Sequence, residues 1–236
     1  MNIFEREIAI RDCDCASNRL LRPSSLFSMI QEIALDHSEE IGAGRSVTFD
    51  RGFLWVLARQ KAEIVRLPEY GEHVIFQTWP GSTMHFLFPR YYRMLDHNGE
   101  SLLSASSLWT LIDAKKRSVI SPQKEGIVVT GETTGYEIAL PSGIRKCFGE
   151  ETCTLTVPYS YTDINGHMNN IFYLDVAENM IPEMAGKLAL KEISVEYSHE
   201  ILCGETMTVS LHRSDQVCTF SGDGEKHYFS LLLRYE

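Results

Sequence analysis

From residue 3 to residue 11 apolar and polar residues alternate, the two-residue period of a strand with one buried face. At Pro23 the period changes. Leu26, Met29, Ile30, Ile33, Ala34 and Ile41 recur at three- and four-residue spacing, which predicts a helix closed by Gly42. Proline suits its first turn, where a missing N–H costs nothing. From Phe53 to Trp109 the chain turns β-rich, and strands are predicted over 53–67, 73–79, 86–95 and 101–112. Pro68 and Gly71, Pro80-Gly81, and Asp96-His97-Asn98-Gly99 separate them, and Asn98-Gly99 is a strong hairpin signal.

The stretch 117–150 is irregular, with Pro122, Gly126, Gly131, Gly135, Pro141, Gly143 and Gly149. It reads as a connection with one short strand near 127–130. The opening order then returns. A strand is expected over 152–159 and a helix over 171–181, with Asn169 or Asn170 as N-cap and Pro182 as its end. Leu174, Ala177 and Ile181 form its buried stripe, and strands follow over 190–198, 206–212, 217–221 and 227–235. The repeat extends to detail: Gly71-Glu72 aligns with Gly204-Glu205, each between two strands. One helix with a curved antiparallel sheet, present twice, is an α+β arrangement. The expected division is 1–118 for the first unit, 119–150 for the connection and 151–236 for the second unit. Two such units side by side extend one sheet and leave a cleft between them.

Composition narrows the function. The 236 residues are 44% hydrophobic and 23% charged, as in an ordinary globular chain. No apolar run reaches the roughly 18 residues of a membrane span. Phe4-Glu5-Arg6-Glu7-Ile8 after Met1 lacks the apolar centre of a secretory signal, so a cytoplasmic protein is expected. Six scattered cysteines then read as reduced thiols. Cys13 and Cys15 have no matching His/Cys pair at zinc spacing, and neither a metal nor a cofactor is expected. A net charge of -10 argues against a nucleic-acid partner. Nearly all of it, about -9, lies in 121–236, so an acidic partner would meet the first half.

Asp163, Asn165 and His167 alternate with Ile164, Gly166 and Met168 just before the second helix. In an extended segment the three polar side chains share one side. A carboxylate, an amide and an imidazole next to a helix N-terminus suit a developing oxyanion. The competing reading is a polar loop that caps its own turns. Glu200 stands where the first copy has Leu67, and a carboxylate in place of an apolar residue needs a reason. The first copy reads Asp12-Cys13-Asp14-Cys15-Ala16-Ser17, without histidine, so only one copy is equipped for chemistry. No GxSxG, HExxH, P-loop or GxGxxG occurs. His199 reads as a hydrated strand-end residue, and Phe86, Phe88, Tyr91 and Tyr92 as core and cross-strand packing.

The segment Asp163-Ile164-Asn165-Gly166-His167-Met168-Asn169-Asn170 resembles the D-x-N-x-H-x-N-N signature of acyl-acyl carrier protein thioesterases. Residues 53–66 and 195–200 resemble that family's strand after the first helix and its glutamate segment. The resemblance implies a tandem hotdog and hydrolysis of the thioester between a fatty acyl chain and the carrier protein's phosphopantetheine arm. It further implies catalytic roles for Asp163, Asn165, His167 and Glu200. Two departures stand out. Ile201 follows the glutamate where the family commonly has Cys, with Cys203 three positions beyond Glu200, and Gly166 stands where plant members often carry Gln.

A thioester is already activated, so water, a base and oxyanion donors suffice. Glu200 or His167 can serve as base, and Asn165 with a helix N-terminal N–H can hold the oxyanion. Three alternatives use the same fold: an acyl-CoA thioesterase, an acyl dehydratase and a non-catalytic acyl-binding module. For an acidic acyl carrier protein, docking would fall to Arg19, Arg22, Arg45, Arg51, Arg90 and Arg93. Chain-length preference and oligomeric state, a homodimer included, are left open.

Overall fold

The computed structural model describes residues 3–149, 151–185 and 187–236. Glu150, the expected end of the connection, and Met1, from which the absence of a signal was argued, lie outside the described residues.

In the first half β1 (Phe4–Ala9) precedes the long helix α1 (Pro23–Glu40) and a single turn α2 (Arg45–Thr48). Strands β2 (Phe53–Ile64), β3 (His73–Pro80), β4 (Leu87–Leu95) and β5 (Ser101–Asp113) follow, with a short β6 (Ser118–Val119). The second half repeats this order: β7 (Glu151–Thr156), α3 (Phe172–Met180), a turn α4 (Pro182–Ala185), then β8 (Leu190–Tyr197), β9 (Thr206–Ser214), β10 (Val217–Asp223) and β11 (His227–Tyr235).

Every described strand belongs to one antiparallel sheet, ordered β1-β3-β4-β5-β2-β8-β11-β10-β9-β7, with β6 on β5. The order reads the same from either end once the halves are matched strand for strand. The join is the β2–β8 pair, from Arg59 opposite Glu196 to Glu63 opposite Glu192. Arg59 Nε and Nη2 both donate to Glu196 Oε1, at 2.8 and 2.6 Å, across that seam. This is the tandem hotdog arrangement: one continuous sheet with a helix for each half.

The repeat persists at the level of single hydrogen bonds. Ile10 N–H donates to Glu72 O and Val157 N–H to Glu205 O, both at 2.9 Å. Gly71 N–H returns to Ile10 O and Gly204 N–H to Val157 O, again both at 2.9 Å. Each glycine has φ of +83°, the left-handed region that side chains avoid, which explains why both copies place glycine there.

The core follows from the expected periodicities. Leu26, Ile30 and Ile33 of α1 and Leu174 and Ala177 of α3 are buried with Phe76, Tyr92, Phe220, Phe229 and Leu231 of the sheet. Each large side chain contributes about 1.5–3 kcal/mol on burial. No described helix is long and apolar enough to cross a membrane.

Three expectations need correction. Residues 127–130 form no strand, because β2, β4 and β5 beside them already have both edges paired. Instead Ile127 packs on Ala43 and Leu111, and the chain presses so close to 81–82 that a Cβ on Gly131 would sit 2.3 Å from Ser82 N. The strand expected over 152–159 ends at Thr156, and Tyr159–Tyr161 is a 3-10 turn. Phe86 is exposed, while Phe88 and Tyr92 are buried as expected.

Candidate active site

The polar triplet sits on a tight turn, not on an extended segment. Asp163 N–H donates to His167 O at 2.8 Å and Gly166 N–H to Asp163 O at 3.0 Å. Gly166 has φ of +81° and lets the chain reverse. The Asp163 carboxylate organises the loop from within. Its Oδ1 accepts from Asn165 N at 2.8 Å and His167 N at 3.2 Å, and its Oδ2 accepts from Asn165 Nδ2 at 3.0 Å. Turn closure, rather than strand alternation, therefore gathers the triplet.

Glu200 lies in the loop between β8 and β9. That loop is stitched to the turn: Met168 N–H donates to Ile201 O at 2.9 Å, and His167 bridges Leu202. The stitching sets Glu200 Oε2 3.2 Å from His167 Nε2. Ile201, where the family commonly carries Cys, is fully buried and anchors the loop in the core, whereas Cys203 is exposed. His199 turns away, with Nδ1 2.8 Å from His227 O on β11.

Two arginines of the first half complete the cluster, and sequence reasoning gave neither this place. Arg117 Nη2 pairs with Glu200 Oε1. It stands on the turn between β5 and β6 with φ of +52°, and its N–H donates to Asp113 O at 2.9 Å. The sequence reading put this residue in an irregular connection, and nothing local marks its long-range partner. Arg45, at the start of α2, donates to Asn165 Oδ1 at 3.4 Å. In the sequence it is one of six arginines expected to dock an acidic partner. Of those six, Arg90 is buried and cannot dock anything. Arg19 lies over Tyr70, Arg93 over Tyr136, Arg51 donates to Glu125 O, and Arg22 donates to Cys13 O.

The first unit shows what the site replaces. Ala16 N–H donates to Leu20 O as Asp163 does to His167, and Arg19 takes the left-handed place of Gly166. Ala16, Asn18, Leu20 and Leu67 thus occupy the places of Asp163, Asn165, His167 and Glu200. The counterpart of the triplet spans 16–20 and only overlaps the 12–17 stretch compared in the sequence. It retains Asn18 alone of the four site residue types.

Burial pushes the His167 imidazole below its ordinary value, and the Arg117 charge acts the same way, while Asp163 and Glu205 oppose them. Near neutral pH the ring is therefore uncharged, with Nε2 3.2 Å from Glu200 Oε2. Two of the expected helix N-terminal donors are already engaged. Ile171 N–H donates to Asn169 Oδ1 at 3.2 Å and Phe172 N–H to Asn169 O at 3.1 Å. Ile171 itself is the N-cap, so Asn169 closes the turn before the helix rather than capping it.

The family model for the acyl-ACP thioesterase N-terminal domain matches residues 1–128, and that for the acyl-ACP thioesterase C-terminal domain matches residues 148–230. A chloroplastic palmitoyl-acyl carrier protein thioesterase of Cuphea hookeriana is 28% identical over 254 residues, covering 99% of this chain and 59% of the relative. An acyl-[acyl-carrier-protein] hydrolase of Cuphea viscosissima is 27% identical, covering 99% and 60%. The chain thus spans about three fifths of the length of these curated relatives. Among solved structures, an acyl-ACP thioesterase from Bacteroides thetaiotaomicron superposes with a TM-score of 0.91 at 22% identity, over 100% of this chain and 98% of that one. The 12:0-ACP thioesterase from Umbellularia californica gives 0.84 at 19%, over 100% and 98%, so both share the fold. With its two halves matched in order by the two family models, the chain belongs to the acyl-ACP thioesterase family.

Proposed function

We propose that this protein hydrolyses the thioester joining a fatty acyl chain to acyl carrier protein, with Asp163, Asn165, His167 and Glu200 as its catalytic set. The observation that carries this reading is the Glu200 carboxylate held between His167 Nε2 and Arg117, beside the turn that Asp163 organises. Glu200 takes a proton from a water, and the resulting hydroxide adds to the thioester carbonyl carbon. Asn165 Nδ2 gives one hydrogen to Asp163 and keeps the other for the oxyanion. Collapse of the tetrahedral adduct breaks the C–S bond, and the proton on Glu200 passes to the leaving thiolate. The products are a free fatty acid and the carrier's thiol. His167, neutral, fixes Glu200 through its Nε2–H, and Asp163 fixes the amide.

The acyl chain is assigned to the first unit. A small apolar pocket of about 40 Å³ lies between α1 and strands β2, β4 and β5. Ala34, Trp55, Phe88 and Trp109 line it, and so does Ala43, two residues from the Arg45 that touches Asn165. The carrier protein is assigned to the same half, where the net charge is near zero, through exposed Arg19 and through Arg51. The six thiols are free, which suits a reducing cytoplasm.

Release of fatty acid from acyl-carrier-protein, acyl-CoA and acyl-pantetheine thioesters tests this reading across salt. The Debye length falls from about 30 Å at 0.01 M to about 10 Å at 0.1 M. The kcat/KM for the carrier-protein substrate falls across that range more steeply than for acyl-pantetheine. Equal salt dependence, or a clear preference for CoA, removes the carrier protein as partner.

A further inference from the structure

The wall of the pocket assigned to the acyl chain holds a feature that a plain hydrocarbon chain does not need. Arg90 lines the pocket and is buried. Its Nη1 donates to His37 Nδ1 at 3.0 Å and to Thr78 Oγ1 at 3.3 Å, and its Nη2 donates to Ser38 Oγ at 3.1 Å. All three partners are neutral. His37 is buried and pushed down to about 4, by burial first and then by the Arg90 charge.

The hydroxyls have no further proton to offer and no negative charge to give. Ser38 Oγ donates to Ala34 O at 2.7 Å, and Thr78 Oγ1 donates to Tyr91 O at 3.0 Å. Since His37 Nδ1 accepts from Arg90, its proton sits on Nε2, which is buried without a hydrogen-bond partner. The cluster is thus a surplus of buried donors around one cation, and among the described residues no carboxylate pairs with Arg90. A guanidinium carries five N–H donors, of which these contacts use three. Burying a charge without an anion is costly, and the cost falls when a ligand supplies an acceptor.

We propose that Arg90 is a specificity-determining residue that selects acyl chains bearing a hydrogen-bond-accepting oxygen, such as a hydroxyl, at their far end. This rests on the hydrolase reading and on the acyl chain entering this pocket. The aromatic walls formed by Trp55, Phe88 and Trp109 take the methylenes, and the unused guanidinium donors take the oxygen.

The test uses the full chain and pairs of carrier-protein thioesters of equal length, plain and ω-hydroxylated, across short, medium and long chains. At the matching length the ω-hydroxyacyl thioester has the higher kcat/KM, by about 10- to 100-fold, as one charge-assisted hydrogen bond provides. Arg90→Met removes or reverses that preference. Thermal shift of the wild-type protein with the free ω-hydroxy and plain fatty acids reads the same preference without catalysis. It decides the matter even where Arg90→Met fails to fold. Equal kcat/KM and equal shifts for both members of every pair overturn the inference and leave Arg90 as a tie between α1 and the sheet, with the hydrolase reading intact. Conversely, an ω-hydroxy preference in the shifts with no thioester hydrolysed supports the pocket inference and sinks the hydrolase reading.

Discussion

Arg117, from the turn after β5, pairs with Glu200, from the loop after β8, so the first half of the chain holds the carboxylate of the second. The pair joins residues 83 positions apart in the sequence. It accounts for a site confined to one unit that is still incomplete without the other. Both side chains are partly exposed, so the pair adds little to stability, and its effect is on the position of Glu200.

Arg117→Gln is therefore expected to lower kcat by about 10- to 100-fold with little change in melting temperature, as misplacement of a catalytic group does. The pH profile separates this role from a structural one. His167 lies below its ordinary 6.5, so the acid limb of kcat/KM falls below pH 6.5. Removing the Arg117 charge removes one cause of that depression, and the limb moves to higher pH. An unmoved limb with an unchanged kcat takes Arg117 out of the site.

Glu200→Gln keeps the shape and loses the carboxylate proposed as the base. Hydrolysis is expected to be nearly abolished, whereas Cys203→Ser, at an exposed thiol, retains most of it. Steady-state rates of the two purified variants settle the ranking, and the reverse order points to a thiol nucleophile.

Asn165→Ala is expected to cost about 10²–10³ in turnover, the loss typical of one oxyanion donor. Its amide also closes the Asp163 turn, so circular dichroism and a melting curve accompany the rates. A folded variant within twofold of the wild-type rate excludes Asn165 from the oxyanion site.

Away from the site, Glu178 of α3 is pushed up to about 7, first by burial and then by Asp175, with Arg22 opposing. A carboxyl raised in the folded state favours folding while it is protonated. That contribution is complete below the ordinary 4.5 and is lost as pH rises from there through about 7. Glu178→Gln is expected to stay flat over this window and to melt above the wild-type protein at pH 8. Parallel losses in the two proteins over the window contradict the assignment.

The periodicities of the chain were enough for the element order, since helices and strands bury their own stripes. The helix stop at Gly42 and the hairpin at Asn98-Gly99 are local events fixed by backbone freedom within a few residues. The glycines at 71 and 204, each needed at φ of +83°, carried the repeat into the sequence, and the repeat exposed Glu200 as an exception to Leu67. That His167 and Glu200 meet was legible from the motif. How they meet was not, because an Asp163-centred turn and an extended strand leave the same pattern of alternate polar residues. The failed strand at 127–130 depended on whether neighbouring edges were already paired, a property of the whole sheet. Arg45, Arg117 and Arg90 were three arginines among many in the sequence, since charge type is local and partner choice is not. Only the packing of two units placed the first two beside Asn165 and Glu200, whereas the packing of α1 on its own half of the sheet closed the third inside the pocket. Those contacts span long stretches of chain, and no local period records them.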